Sequence, residues 1–193
     1  MGRLILITHA HTRVEQQLDA TCWRLSPTGE AQARQLAEAP FWGSVAYVLV
    51  SNEHKTRLSV EPAVQRWRLP VIADGRFDEL HRGAWVNDYA DRVRQVLEAP
   101  HASMGGWEPA ATALERMLEG FTAHIDRSAG HDVALVGHGL TLTLLRAFLL
   151  GQDRAHFSDW QQLPFAAVAI YDLAVNQMVQ DFTAVLEASP RGL

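Results

Sequence analysis

Four short apolar runs divide the chain: Arg3–Thr8, Ala46–Val50, Asp132–Val136 and Ala166–Asp172. Each is continuous rather than alternating and too short for a lone helix, so each reads as a strand covered on both faces. A weaker run, Gln177–Phe182, follows the last of them. Between the runs, apolar residues recur at helical spacing. Ser26-Pro27-Thr28 opens a helix through Ala39, with Ser26 as N-cap and Pro27 in the first turn. Val60, Val64 and Trp67 mark a second helix, and Tyr89, Val93, Val96 and Leu97 a third. Leu114, Met117, Leu118, Phe121 and Ile125 mark a fourth, and the nearly all-apolar Leu140–Leu150 a buried fifth. Strands alternating with helices predict an α/β fold, a three-layer α/β/α sandwich on a mainly parallel central sheet. The 193 residues carry no repeat or low-complexity tract, so residues 1–193 are expected to form one domain. Pro100–Gly106 reads as a loop and Glu187–Leu193 as a frayed tail.

Composition narrows the function classes. Hydrophobic residues make up 48% and charged residues 20%, the balance of a soluble globular protein. The formal net charge is −5 and no basic stripe is present, which argues against nucleic acid and anionic membranes as partners. No stretch approaches the length of a membrane span, and Leu4-Ile5-Leu6-Ile7 is too short for a signal-peptide core. The single cysteine, Cys22, cannot form an intramolecular disulfide and fits a reducing compartment. The expected setting is the cytoplasm.

In open parallel sheets, ligands bind beyond the carboxyl ends of the strands. The first strand runs into Thr8-His9-Ala10-His11-Thr12-Arg13, the second into Ser51-Asn52-Glu53-His54-Lys55, and the third into Gly137-His138-Gly139. Four of the nine histidines fall in these three stretches. Gly139 is followed at once by an apolar helix, whose N-terminal N–H groups and dipole favour an anion. Two histidines, a lysine and a helix N-terminus suit a phosphate or a carboxylate. His9-Ala10-His11 also has the spacing of a pair of metal ligands, which leaves a metal-dependent phosphoesterase as an alternative.

These blocks resemble the histidine phosphatase superfamily, also called the phosphoglycerate mutase-like family. Its Arg-His-Gly is matched by Thr8-His9-Ala10, and its Leu-Thr-x-x-Gly-x-x-Gln-Ala by Leu25–Ala33. Its Ser-x-x-x-Arg is matched by Ser51–Lys55, and its Leu-x-Glu-x-x-x-Gly-x-Trp by Phe77–Trp85. Its strand followed by His-Gly is matched by Ala134–Gly139. The resemblance implies a phosphoglycerate mutase-like fold and a phosphomonoesterase that works through a phosphohistidine, without metal or cofactor. It assigns His9 as the nucleophile, Glu79 as the acid for the leaving oxygen, and His138 as the group that holds the phosphoryl oxygens. Burial beside a phosphate is expected to raise the Glu79 pKa, as suits an acid. A phosphatase is preferred to a mutase, because the pocket reads as poor in cations. The substrate class is a small phosphorylated metabolite. A second copy of the chain, pairing at an edge strand near Phe182, is the candidate protein partner.

The chain departs from the family where charge matters most. Thr8 and Lys55 stand where the family has arginines, and arginine alone grips phosphate with parallel hydrogen bonds. Losing one donor aimed at the transition state costs about 2–4 kcal/mol. Arg13 or Lys55 is expected to supply the missing charge, with Thr8 and Gly139 as further phosphate contacts. His11, His54, Arg57 and His81 lie near the same blocks, and Trp23, Trp107 and Trp160 are candidates to line a pocket. The specificity loops are expected in Ala99–Trp107 and Asp153–Leu163. The rival to an enzyme is a family member that binds a phosphate ligand or a partner without turnover.

Overall fold

The computed structural model describes residues 2–125 and 128–185. The expected tail, Glu187–Leu193, lies outside the described residues. Six strands form one sheet: β1 (Arg3–Thr8), β2 (Val45–Val50), β3 (Val71–Ala73), β4 (Asp132–Gly137), β5 (Ala167–Asp172) and β6 (Gln177–Ala184). Their order is β3-β2-β4-β1-β5-β6. The β1–β4, β2–β4 and β2–β3 pairs are parallel, while β5 and β6 join antiparallel. The described helices are α1 (Pro27–Leu36), α2 (His54–Trp67), α3 (Tyr89–Glu98), α4 (Ala110–Ile125), α5 (Gly139–Leu149) and α6 (Phe157–Gln162). None is long and apolar enough to cross a membrane.

The strands are covered on both faces, as their continuous apolar character requires. Ile5, Ile7, Val48, Val50, Ala134 and Val136 pack on one face with Leu36, Val60 and Ala63 from α1 and α2. Leu4, Leu6, Leu49, Val133 and Leu135 pack on the other with Met117, Leu142 and Leu145 from α4 and α5. Trp107 and Trp160, considered as pocket linings, are buried in a third cluster with Val93, Val96 and Leu140.

The differences from the sequence reading have local causes. Helix α1 stops at Leu36 rather than Ala39, because Pro40 forces Ala39 into an extended conformation (φ −64°, ψ 130°). Ala166 falls outside β5 because its φ is +47°. Strand β3 is an edge of three residues, too short to leave a periodic signature. Helix α4 turns Ala110, Ala113, Met117, Gly120 and His124 inward, and half-buries Leu118 and Phe121 on the flanks. A Cβ at Gly120 would stand 2.9 Å from the Phe77 ring, so glycine permits this close approach.

Parallel pairing gathers the carboxyl ends of β1, β2, β3 and β4 on one edge of the sheet. Helix α1 closes against that edge at Gly29, where a Cβ would lie 2.0 Å from the His11 carbonyl oxygen. Gly29→Ala is therefore expected to destabilise the protein by about 2 kcal/mol or more in urea unfolding, since a backbone oxygen must move. An unchanged midpoint and slope would show that this joint yields freely.

Candidate active site

His9 is fixed by the sheet itself. Its N–H donates to the Gly137 carbonyl at 2.9 Å, and its carbonyl accepts from Ala166 N at 3.2 Å. His9 is 6% exposed and its Nδ1 lies 2.8 Å from the Ala10 carbonyl oxygen. A carbonyl can only accept, so Nδ1 carries the hydrogen and the lone pair of the neutral ring sits on Nε2. The His138 ring centroid is 5.4 Å away and that of Phe165 is 5.5 Å away.

His138 caps α5 and is fully buried. Its Nε2 is hydrogen-bonded to Ser51 Oγ at 2.8 Å and lies 3.5 Å from Glu53 Oε1. Burial pushes its pKa well below the usual histidine value, aided by the Lys55 and Arg82 charges and only partly opposed by Glu79. His138 is therefore neutral at pH 7. Its Nδ1 and the Thr141 hydroxyl in the same helical turn are buried without a hydrogen-bond partner among the described residues.

Glu79 arrives at this edge because β3 delivers the segment 74–79 to it. Its carboxylate accepts from Leu80 N at 3.0 Å, Leu140 N at 3.1 Å and Thr141 N at 3.1 Å. The segment is anchored by Arg116 on α4, which donates to the carbonyls of Arg76, Asp78 and Glu79. Glu108 holds Arg116 in turn and accepts from His81 N. The helix N-terminus expected to receive a phosphate beside Gly139 is thus taken by a carboxylate from the chain. Burial alone would raise the Glu79 pKa. The charge that His138 carries once protonated, the Arg82 guanidinium and the Leu80 N–H outweigh it and hold the pKa below the ordinary value. This reverses the expected direction.

Lys55 is not the solvated lysine usual at a helix start. It is 4% exposed, donates to the Ala20 carbonyl at 2.7 Å, and pairs with Glu53 Oε2, whose side chain is also 4% exposed. Glu53 Oε1 accepts from Glu79 N at 2.8 Å, and Glu53 N donates to Ser51 Oγ. Arg82, three residues after Glu79, donates to the Tyr89 hydroxyl and stacks 4.9 Å from that ring. At the margin the Trp23 ring lies 5.7 Å from Lys55 Nζ and 6.0 Å from the Trp85 ring.

Two of the expected phosphate contacts have other partners in this structure. The Arg13 side chain is 75% exposed and faces Glu15 at 3.9 Å, so it adds no charge beside His9. The Thr8 hydroxyl donates to the Pro164 carbonyl at 2.7 Å and accepts from Ala167 N at 2.9 Å, which commits it to joining β1 to the turn before β5. His54 and Arg57 face solvent, and His81 is 67% exposed beside Glu108. His11 Nδ1 is bonded to Ser26 Oγ at 2.8 Å. Among the described residues no cluster of three or more His, Cys, Asp or Glu side chains is arranged to hold a metal ion, so the His9–His11 alternative gains no further ligands. The sequence reading missed Glu53, Arg82 and Arg116. Glu53 alone left a signal, a carboxylate two residues before Lys55 on a strand end.

A central sheet whose strand ends converge on two histidines and a carboxylate defines an α/β enzyme-type fold with its site at the parallel edge. The sequence profile of the histidine phosphatase superfamily (branch 1) matches residues 4–182, and the chain belongs to that superfamily. It is 26% identical over 166 residues to a Klebsiella pneumoniae protein named a probable phosphoglycerate mutase, GpmB, covering 78% of this chain and 76% of that one. Its fold matches the mycobacterial glucosyl-3-phosphoglycerate phosphatase Rv2419c with a TM-score of 0.74 at 22% identity, over 98% of this chain and 100% of the other. It also matches the alpha-ribazole phosphatase of Shigella flexneri with a TM-score of 0.73 at 21% identity, over 94% of this chain and 96% of the other.

The depressed Glu79 pKa has a stability consequence. A carboxylate held below its unfolded value stabilises the fold above the unfolded pKa, and loses that contribution as pH falls through the folded one. Glu79→Gln should therefore cost about 1–3 kcal/mol in urea unfolding at pH 7. The gap from wild type should shrink in strongly acidic solution, where wild-type Glu79 is itself protonated. A gap that stays constant with pH would place the effect in packing rather than charge.

Proposed function

We propose that the chain hydrolyses phosphoric monoesters of small metabolites through a phosphohistidine at His9. The observation that carries this reading is the Nδ1 contact to the Ala10 carbonyl, which leaves His9 Nε2 with the lone pair a nucleophile needs. Nε2 attacks phosphorus, forming the N–P bond as the bond to the leaving oxygen breaks. Water then attacks the phosphohistidine, breaking N–P and releasing phosphate. Glu79, ionised in the resting site, is suited to take the proton from that water. His138, neutral and with a buried Nδ1 that lacks a partner, is suited to hold a phosphoryl oxygen. No group in the resting site is poised to protonate a poor leaving group until an arriving anion raises the Glu79 pKa, so esters of acidic alcohols and phenols are favoured. The single cysteine keeps the cytoplasm as the proposed setting, and β6, an edge strand, remains the proposed pairing surface for a second copy.

A second reading, ligand binding without turnover, is favoured by the Lys55–Glu53 pair, which offsets the cation at the family's arginine position. An aryl phosphate panel with wild type and His9→Ala separates the two. The hydrolase reading expects turnover in wild type, a loss of at least about a thousandfold in His9→Ala, and a base-stable, acid-labile phosphoryl label on wild type alone. No label and no turnover would leave the binding reading in its place, and equal turnover by both proteins would remove His9 as the nucleophile.

A further inference from the structure

The two ring nitrogens of His138 stand in unlike surroundings. Nε2 lies 2.8 Å from Ser51 Oγ and 3.5 Å from Glu53 Oε1, while Nδ1 is buried without a partner among the described residues. A neutral ring carries one hydrogen, and the groups around Nε2 decide where it sits. The Glu53 carboxylate, paired with Lys55, can only accept, and so draws the hydrogen to Nε2. Ser51 Oγ is able to do either. It accepts from Glu53 N at 3.1 Å and has a second neighbour, Thr56 Oγ1, at 3.0 Å. The Thr56 hydroxyl donates to the Glu53 carbonyl at 2.9 Å, so its oxygen is left to receive the Ser51 hydrogen. With Ser51 turned to Thr56, the Ser51 oxygen accepts from Nε2, and each hydrogen from His138 through Ser51 and Thr56 to the Glu53 carbonyl has an acceptor. Ser51 and Thr56 are both buried, so water does not compete for these places.

We infer that Ser51 and Thr56 are positioning residues that let neutral His138 change its tautomer, with the hydrogen on Nε2 in the free site and on Nδ1 when a phosphoryl group is bound. Nε2 is occupied by Ser51, so Nδ1 is the nitrogen left for a ligand, and it holds a phosphoryl oxygen only as an N–H donor. The ring then gives up its Nε2 proton and takes one at Nδ1, both exchanged with water that enters with the ligand, and its charge does not change. Nε2 becomes an acceptor, and the Ser51 hydroxyl turns from Thr56 Oγ1 to donate to it. The Thr56 hydrogen stays on the Glu53 carbonyl throughout. Without the Ser51 hydroxyl, Nε2 would have a carboxylate beside it and no donor, which opposes a bare nitrogen. Without the Thr56 hydroxyl, the Ser51 hydrogen would have Nε2 as its one acceptor in this chain, and the ring would keep its hydrogen on Nδ1 from the start. The inference rests on the reading that a phosphoryl group reaches His138, but not on turnover there.

The test reads the ring nitrogen chemical shifts of His138 by NMR at pH 7 in isotope-labelled protein, since a nitrogen bearing hydrogen and a bare one resonate far apart. His138→Gln assigns the signals, and inorganic phosphate is the probe. Wild type is expected to carry the hydrogen on Nε2 when free and on Nδ1 once saturated with phosphate. Thr56→Val should carry it on Nδ1 with or without phosphate. Ser51→Ala should carry it on Nε2 in both conditions and bind phosphate about tenfold more weakly than wild type. A purely structural role for the two hydroxyls would alter stability and leave the tautomer as in wild type. Free wild type with the hydrogen on Nδ1, or wild type whose tautomer no concentration of phosphate changes, would overturn the inference, and both measurements stand even where a variant fails to fold. A change of tautomer without turnover of any ester would remove the hydrolase reading and leave the inference intact. Turnover with an unchanged tautomer would do the reverse.

Discussion

The Glu79 carboxylate on the first turn of α5 is the contact on which the site's geometry depends. It joins two parts of the chain that the sheet alone would leave independent, the segment after the edge strand β3 and the helix after the central strand β4. With Arg116 gripping the same segment from α4, the position of the acid is set by helix packing rather than by a loop's own preference. His138, as the N-cap of α5, moves with that helix, and His9 is tied to the same strand through the Gly137 carbonyl. The edge of the sheet thus behaves as one assembly, in which disturbing any member reaches the others through backbone hydrogen bonds.

Much of this was legible in the residues. The four main strands and five helices announce themselves because each buries a continuous or periodic apolar face, and burial is what the sequence pattern records. Strand β3 and helix α6 do not, since a three-residue edge and a six-residue polar helix bury too little to impose a period. His9 and His138 could be found from position alone, at strand ends flanked by small residues. The fate of Thr8 and Arg13 could not, because it turns on contacts with residues about 160 and 2 positions away, and no local pattern tells a hydroxyl bound to backbone from one facing a ligand. The direction of the Glu79 pKa was misread for a related reason. Burial was foreseeable, but the N–H donors and Arg82 that outweigh it come from the folded arrangement.

The departures from the family pattern are coherent as a set. Where the family has a guanidinium before the nucleophile, this chain has a hydroxyl that secures β1 to the turn before β5. Where the family has a second guanidinium, it has an ammonium with its own carboxylate. A lysine buried without a partner would lose its charge or destabilise the fold, so Glu53 and Lys55 are one feature rather than two. Arg82, held by Tyr89, is the cation of this site that lies nearest in character to the guanidinium the motif lacks.

The Trp23–Trp85 contact carries a consequence of another kind. Trp23 is bound to its own segment, its indole N–H donating to the carbonyls of Glu15 and Leu18. Trp85 stands 44% exposed on a separate segment. Side-chain contact between two indoles is a weaker joint than the backbone ladder beneath it. Because the Trp23 ring lies 5.7 Å from Lys55 Nζ, a molecule bound at Lys55 would change the surroundings of an indole pair. Trp42, Trp107 and Trp160 are sealed in the core, so a ligand-dependent change in tryptophan emission is expected to come chiefly from this exposed pair.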